Sequence, residues 1–176
     1  MKFKESKNFL TEENKKFIEE TILSNNFPFY LFKGSTKDQN DPIFMHIVLN
    51  RLDQCDPRNL VNSLFYEPSL DILNNFCKSI KLKVNFFTRI AYNITFNNKF
   101  EKCGIHKDHK FQHNQIIIYL NDCDTNSKTY ILKNNKKDIQ KIITPEKYKG
   151  VVFDNYPHYH VYPKFGHRLV LVATFI

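Results

Sequence analysis

Nowhere in the 176 residues does an apolar run reach the eighteen or so that a membrane-crossing helix needs, so no span is expected. No apolar core follows the basic N-terminal residues Lys2, Lys4 and Lys7, so no secretory peptide is expected. Cys55, Cys77, Cys103 and Cys123 are scattered without a CxxC pair. They read as free thiols of a reducing compartment, and the cytoplasm is the expected location. The sequence also lacks internal repeats and any linker-like stretch. One domain over residues 1–176 is therefore expected.

What is present can form a core. The chain is 41% hydrophobic and 15% aromatic, which excludes global disorder. Its net charge of +8 would suit a nucleic-acid partner. The basic residues are spread as Lys along the chain, however, in a sequence rich in Lys, Asn, Ile and Phe. An AT-rich genome produces that bias by itself, and this compositional reading outweighs the nucleic-acid one.

Two regions differ in character. Thr11 followed by Glu12 and Glu13 opens a helix with a hydroxyl cap and acids in its first turn; Phe17, Ile18 and Ile22 form its apolar face, and it ends by Pro28. The polar stretch from Gly34 to Pro42 reads as a loop, and Ile43 to Leu49 as a strand. Ser69 is expected to cap a helix whose Leu70, Leu73, Phe76, Cys77 and Ile80 recur at helical spacing. A shorter helix is expected from Asn59 to Phe65. Beyond residue 82 come short β-rich runs: 84–95, 115–120, 129–132, 139–143, 150–153, 159–162 and 168–176, separated by polar turns. Helices first and many strands later predict a mainly β protein. Residues 1–82 would form a helical support layer plus a first strand. Residues 83–176 would form a double-stranded β-helix, or jelly-roll, core carried on two to three α-helices.

The chemistry concentrates in two places. His106-Lys107-Asp108 lies mid-chain, and His158, His160 and His167 precede Arg168 near the C-terminus. In a strand, residues i and i+2 project to the same side, so His106 and Asp108 could bind one ion together. A third ligand would come from the 158–168 region. Two histidines and one carboxylate form the facial triad that holds Fe(II) and leaves its other positions open. Strand parity does not separate His158 from His160. It does turn His167 away from the face that Arg168 takes, so His167 is read as non-ligating. His109 and His113 read as residues of a solvated loop, and His46 carries no supporting pattern.

The stretches Thr88-Arg89-Ile90-Ala91-Tyr92-Asn93, His106-Lys107-Asp108, Ile118-Tyr119-Leu120-Asn121-Asp122-Cys123-Asp124, Val152-Phe153-Asp154 to Pro157-His158, and Gly166-His167-Arg168 to Val172 follow one another in this order. In them the chain resembles the Fe(II)/2-oxoglutarate-dependent oxygenase superfamily, most closely its small prolyl-hydroxylase-like viral and bacterial members. The segment Ser24 to Tyr30 also resembles the entry segment of the phage-type enzymes. The resemblance implies His106 and Asp108 as iron ligands and His158 as the third, with His160 the alternative. It implies Arg168 as the residue that grips the distal carboxylate of 2-oxoglutarate, and Tyr92 and Tyr119 as tyrosines of the cosubstrate pocket. Fe(II), 2-oxoglutarate and O2 are then expected, with ascorbate as reductant and succinate and CO2 as co-products. If the source is viral, the location is the host cytoplasm.

After Asp124 the family usually carries Gly-Gly or Gly-x-Thr. Here Thr125 to Thr129 fills that place, so a different turn is expected. A protein side chain such as proline is the favoured substrate, then nucleic acid, then a small metabolite. The competing classes are a cupin-like binding module that lacks catalysis and a structural jelly-roll shell protein.

Overall fold

The computed structural model describes residues 3–34 and 42–176. Most of the expected loop from Gly34 to Pro42 lies outside the described residues. Among the described residues, ten strands form two antiparallel sheets. The strands are β1 (Lys4–Ser6), β2 (Tyr30–Phe32), β3 (Ile43–Leu49), β4 (Phe87–Phe96), β5 (Asn114–Tyr119), β6 (Thr129–Leu132), β7 (Ile139–Ile143), β8 (Gly150–Asp154), β9 (His158–His160) and β10 (His167–Phe175). The large sheet has the order β1-β8-β5-β10-β4-β3-β2, and the small one β7-β6-β9. The helices are α1 (Glu12–Phe17), which continues as a π-helical turn over Ile18–Ile22, and α2 (Tyr66–Ser79). None is long and apolar enough to cross a membrane.

The large sheet is apolar on one face and divided on the other. On β10 Leu169, Leu171, Ala173 and Phe175 join the core beneath the helices, as do Ile90 and Tyr92 of β4 and Ile116 and Ile118 of β5. The alternate residues turn towards the small sheet. There Ile117, Tyr119, Val170 and Val172 pack with Ile131 of β6, Ile143 of β7 and Phe153 of β8. This is the jelly roll: two packed sheets, the larger buried on both faces, with side chains allotted by the period of two.

The helices depart from expectation at their edges. Thr11 does cap α1, and Asn14 completes a reciprocal capping box with it. Ser69, by contrast, is no cap. The second helix starts at Tyr66, with Pro68 in the first turn, where its missing N–H costs nothing. The Ser69 hydroxyl instead donates back to the Phe65 carbonyl at 2.6 Å and meets the Tyr92 hydroxyl at 2.7 Å. No helix runs from Asn59 to Phe65. A single 3-10 turn (Pro57–Asn59) is followed by chain that pairs with the end of β3, through Asn50 N–H to Leu60 O at 2.8 Å and Asn62 N–H to Val48 O at 2.9 Å. The turn after Asp124 is held by that residue's carboxylate, which accepts from the N–H groups of Asn126 and Lys164, both at 2.9 Å.

His46 is a buried core histidine. Its Nδ1 donates to the Pro28 carbonyl at 2.8 Å, so its Nε2 accepts from the Ser63 hydroxyl at 2.7 Å. Burial pushes its pKa below the ordinary value of 6.5. The unfolded chain therefore takes up this proton before the folded one does. Stability should be level above about pH 6.5 and fall as the pH drops towards the lowered folded value. Melting temperatures from pH 8 to pH 5 test this, and a flat profile would contradict it.

Gly150, at the start of β8, permits a close approach. A Cβ built there would sit 2.5 Å from two ring carbons of the fully buried Phe76. Gly150→Ala should therefore destabilise by roughly 1–3 kcal/mol through overpacking. Denaturant unfolding measures it, and a neutral change would show that Phe76 can move aside.

Candidate functional site

On the divided face of the large sheet, the half nearest β4 and β3 carries polar groups. Arg89, Asn93 and Thr95 of β4, Gln115 of β5 and Arg168 of β10 line a cavity of 340 Å³, together with His106, Asp108, His158 and His160. Buried polar atoms without a hydrogen-bond partner concentrate here. They are Asn93 Oδ1, Thr95 Oγ1, Asp108 Oδ2, His160 Nε2 and Arg168 Nε. Such atoms are costly in a folded protein unless something meets them, so their clustering marks a place built for a ligand.

His106 and Asp108 do not lie in a regular strand. His106 forms an isolated bridge with His158, donating to its carbonyl at 3.1 Å and accepting from its N–H at 2.9 Å. That mutual pair sets the two imidazoles side by side, with ring centroids 4.5 Å apart. Ligand atoms of His106, Asp108 and His158 all lie within 4.8 Å of one another. The ring tautomers follow from their partners. His106 Nδ1 lies 2.8 Å from the Gly104 carbonyl and His158 Nδ1 lies 3.2 Å from the Tyr156 carbonyl. A carbonyl only accepts, so each Nδ1 carries the proton and each Nε2 offers a lone pair. Metal-binding histidines are commonly oriented this way.

Asp108 is held by two guanidiniums. Arg89 Nη1 lies 3.5 Å and Arg51 Nη2 3.6 Å from its Oδ1, and Arg51 also donates to its backbone carbonyl. Burial by itself would raise the pKa of Asp108. Arg89, the two histidines and Arg51 outweigh burial and hold the carboxyl well below its usual range. Burial, with His106 beside it, pushes His158 down to about 4. Two imidazoles that each turn Nε2 inward and an ionised carboxylate with one unpartnered oxygen are the donor set that a divalent ion of the Fe(II) type accepts.

The other end of the cavity is built around Arg168. Its side chain is buried, its Nη2 donates to Thr129 Oγ1 at 3.1 Å, and the guanidinium lies over the Tyr119 ring at 5.3 Å. The Tyr119 hydroxyl meets the same Thr129 oxygen at 2.9 Å. Among the described residues no carboxylate pairs with Arg168. His160 stands across from Thr129 in the β6–β9 register, with Nδ1 3.2 Å from Cys103 Sγ. Burial and Arg168 keep it neutral. It borders the Arg168 end and does not join the His106–Asp108–His158 cluster.

Other residues fall elsewhere. Tyr92 is on the opposite face of β4, in the helix-packed core, with its ring edge-on to Phe27. The expectation that it lines the cavity is thereby corrected, since Tyr92 differs in strand parity from the lining residues Arg89, Asn93 and Thr95. His167 packs at a tilt beside Phe96, outside the cavity. His109 and His113 are buried, not solvated as the sequence suggested. His109 ties the chain after Asp108 to Thr174 Oγ1 at 2.8 Å and to Asp53 Oδ1 at 3.2 Å.

Arg51, Arg89, Thr129 and Gln115 escaped the sequence reading. Arg89 left a trace, as the one charged residue in the apolar run 84–95; nothing local marked the others.

No protein-family model and no curated protein matches the sequence. Solved structures do match its fold. An oxidoreductase of the 2OG-Fe(II) oxygenase family from Burkholderia pseudomallei aligns with a TM-score of 0.76 at 14% identity, over 98% of this chain and 84% of that one. A Pseudomonas putida prolyl-4-hydroxylase aligns at 0.60 and 14%, over 98% and 91%. A Trichoplax adhaerens prolyl hydroxylase, in complex with a hypoxia-inducible-factor peptide fragment, aligns at 0.61 and 14%, over 99% and 83%. This chain thus has the jelly-roll fold that these 2OG-Fe(II) oxygenase and prolyl-hydroxylase structures share.

Fe(II) or Mn(II) should raise the melting temperature of the wild-type protein. An ion at a hundred times its Kd adds about 2.7 kcal/mol. Asp108→Asn keeps the shape but loses the charge, and should lose most of that shift. An equal shift in both proteins would place the metal elsewhere.

Proposed function

We propose that the protein is an Fe(II)- and 2-oxoglutarate-dependent dioxygenase that hydroxylates its substrate and releases succinate and CO2. The observation that carries this reading is a single cavity with two complementary ends. One offers a two-histidine, one-carboxylate cluster, and the other a buried guanidinium without a counter-charge among the described residues. In this reading His106, Asp108 and His158 hold the metal. Fe(II) there would supply the redox chemistry that couples O2 and 2-oxoglutarate to substrate hydroxylation.

Arg168 takes the distal carboxylate of 2-oxoglutarate. Guanidinium meets carboxylate as a fork and keeps its charge when buried. Thr129 and Tyr119 fix the guanidinium from behind, so little ordering is left for the moment of binding. His160, neutral and facing the same end, adds a polar neighbour to that seat and is not a ligand. The apolar packing of Ile117, Val170 and Val172 beneath the site keeps water from the reacting centre.

A protein or peptide side chain is the favoured substrate. Two of the structural neighbours are prolyl hydroxylases, and one of them is bound to a peptide fragment. A cytoplasmic location fits the four free cysteines. A binding module without catalysis would have no need of a buried Arg168 that no carboxylate among the described residues pairs.

Succinate release from 2-oxoglutarate, measured with Fe(II) and ascorbate but no added substrate, tests the proposal. Slow iron-dependent release that disappears in Asp108→Ala is expected. Arg168→Ala should raise the 2-oxoglutarate concentration required by roughly a hundredfold, the loss of two charge-assisted hydrogen bonds. An unchanged requirement would remove Arg168 from the cosubstrate site.

A further inference from the structure

Arg51 and Arg89 stand at the opposite end of the cavity from Arg168. On β4 the inward column runs Arg89, Ala91, Asn93, Thr95, and Thr95 pairs with Arg168 across to β10. Six residues of strand, roughly 20 Å between Cα positions, separate Arg89 from the Arg168 end. Arg89 is buried, with a side chain 7% exposed, whereas that of Arg51 is 24% exposed. The pair therefore reaches from the floor of the cavity towards its mouth.

Their only acid among the described residues is Asp108. Both guanidiniums share its Oδ1, at distances beyond a good hydrogen bond. Arg89 otherwise points one nitrogen at the Met45 sulfur, 3.5 Å away, a weak acceptor. The arrangement is short of negative charge. Three guanidiniums line the cavity, and Asp108 is the one carboxylate among the described lining residues. A divalent ion and a dicarboxylate cosubstrate would cancel one another, so this excess would persist in the loaded protein.

We propose that Arg51 and Arg89 form a second anion seat, which takes a carboxylate of the prime substrate and so determines its specificity. The inference rests on the dioxygenase reading for what fills the rest of the cavity. The seat is suited to a carboxylate because a guanidinium fork matches its planar pair of oxygens. Beside it Met45 and Ile47 of β3 form an apolar wall, and Asn50 and Gln54 add amides. The substrate is thus an acid with a short carbon framework at the metal, either an acidic amino acid or an acidic side chain of a peptide.

The test uses the full chain loaded with Mn(II) and saturating 2-oxoglutarate, without O2. Uptake of the ion and of 2-oxoglutarate is measured first and reports on the dioxygenase reading. Calorimetric titrations then compare aspartate and glutamate with asparagine and glutamine, and with inorganic phosphate. The acids should bind at least about tenfold more tightly than their amides. Arg51→Gln should erase that ratio, while Arg51→Lys should keep part of it. The ratio is internal to each protein, so a changed metal affinity does not imitate the result. Ion and cosubstrate uptake with equal binding of acid and amide would overturn the seat, as would binding of neither. Preferential phosphate binding would overturn the carboxylate assignment. A ratio that persists in Arg51→Gln would take the seat away from Arg51 and Arg89.

Discussion

The alternation of side chains along β4, β5 and β10 is the constraint on which the molecule depends. Each of these central strands is buried on both faces, so each residue is assigned by parity either to the helices or to the small sheet. One face is uniformly apolar and carries α1 and α2. The other is apolar where β6 and β7 cover it and polar towards β4 and β3, beneath the chain around His106. Shifting β10 by one residue against its neighbours would turn Arg168 into the helix-packed core and Leu169 into the cavity. Register and function are therefore specified together.

Electrostatics divides the polar half. Asp108 is stabilised as a carboxylate by arginines on two other segments, while burial pushes the pKa of neighbouring His158 down. Buried ion pairs are weak contributors to stability and are strongly destabilising when one partner is lost. That balance makes sense for a site whose carboxylate must stay ionised and accessible. The orphaned polar atoms of Asp108, Arg168, His160 and Thr95 tell the same story from the side of the hydrogen bonds. The fold tolerates them because they are grouped in a place a ligand can reach.

Much of the architecture could be read from the sequence because its signals are local. Ile43–Leu49, Thr129–Leu132 and Ile139–Ile143 are strands with the expected bounds, and Thr11 caps its helix. Errors arose where tertiary contacts outweighed local preference. Ser69 has the side chain of a cap, but Tyr92 and the Phe65 carbonyl claim its hydroxyl. The chain from Asn59 to Phe65 pairs with β3 because that strand's end leaves backbone groups to satisfy. Tyr92 and Tyr119 look alike in sequence, each in an apolar run. Only the pairing of their strands sends one to the helices and the other beneath Arg168.

The sequence alone determined the class of the fold, through its order of helices and strands, and it offered His106 and Asp108 as a pair, through their spacing of two. Both are properties of neighbouring residues, and period and spacing record them. The tertiary structure decided which histidine stands with His106 and Asp108. His158 does so because a bridge of two backbone hydrogen bonds joins it to His106, while His160, on the same side of β9, faces Arg168 instead. It also decided that Arg51 and Arg89 meet at Asp108, from positions 57 and 19 residues away in the chain. No local pattern records such a meeting, because it exists only once the strands have paired.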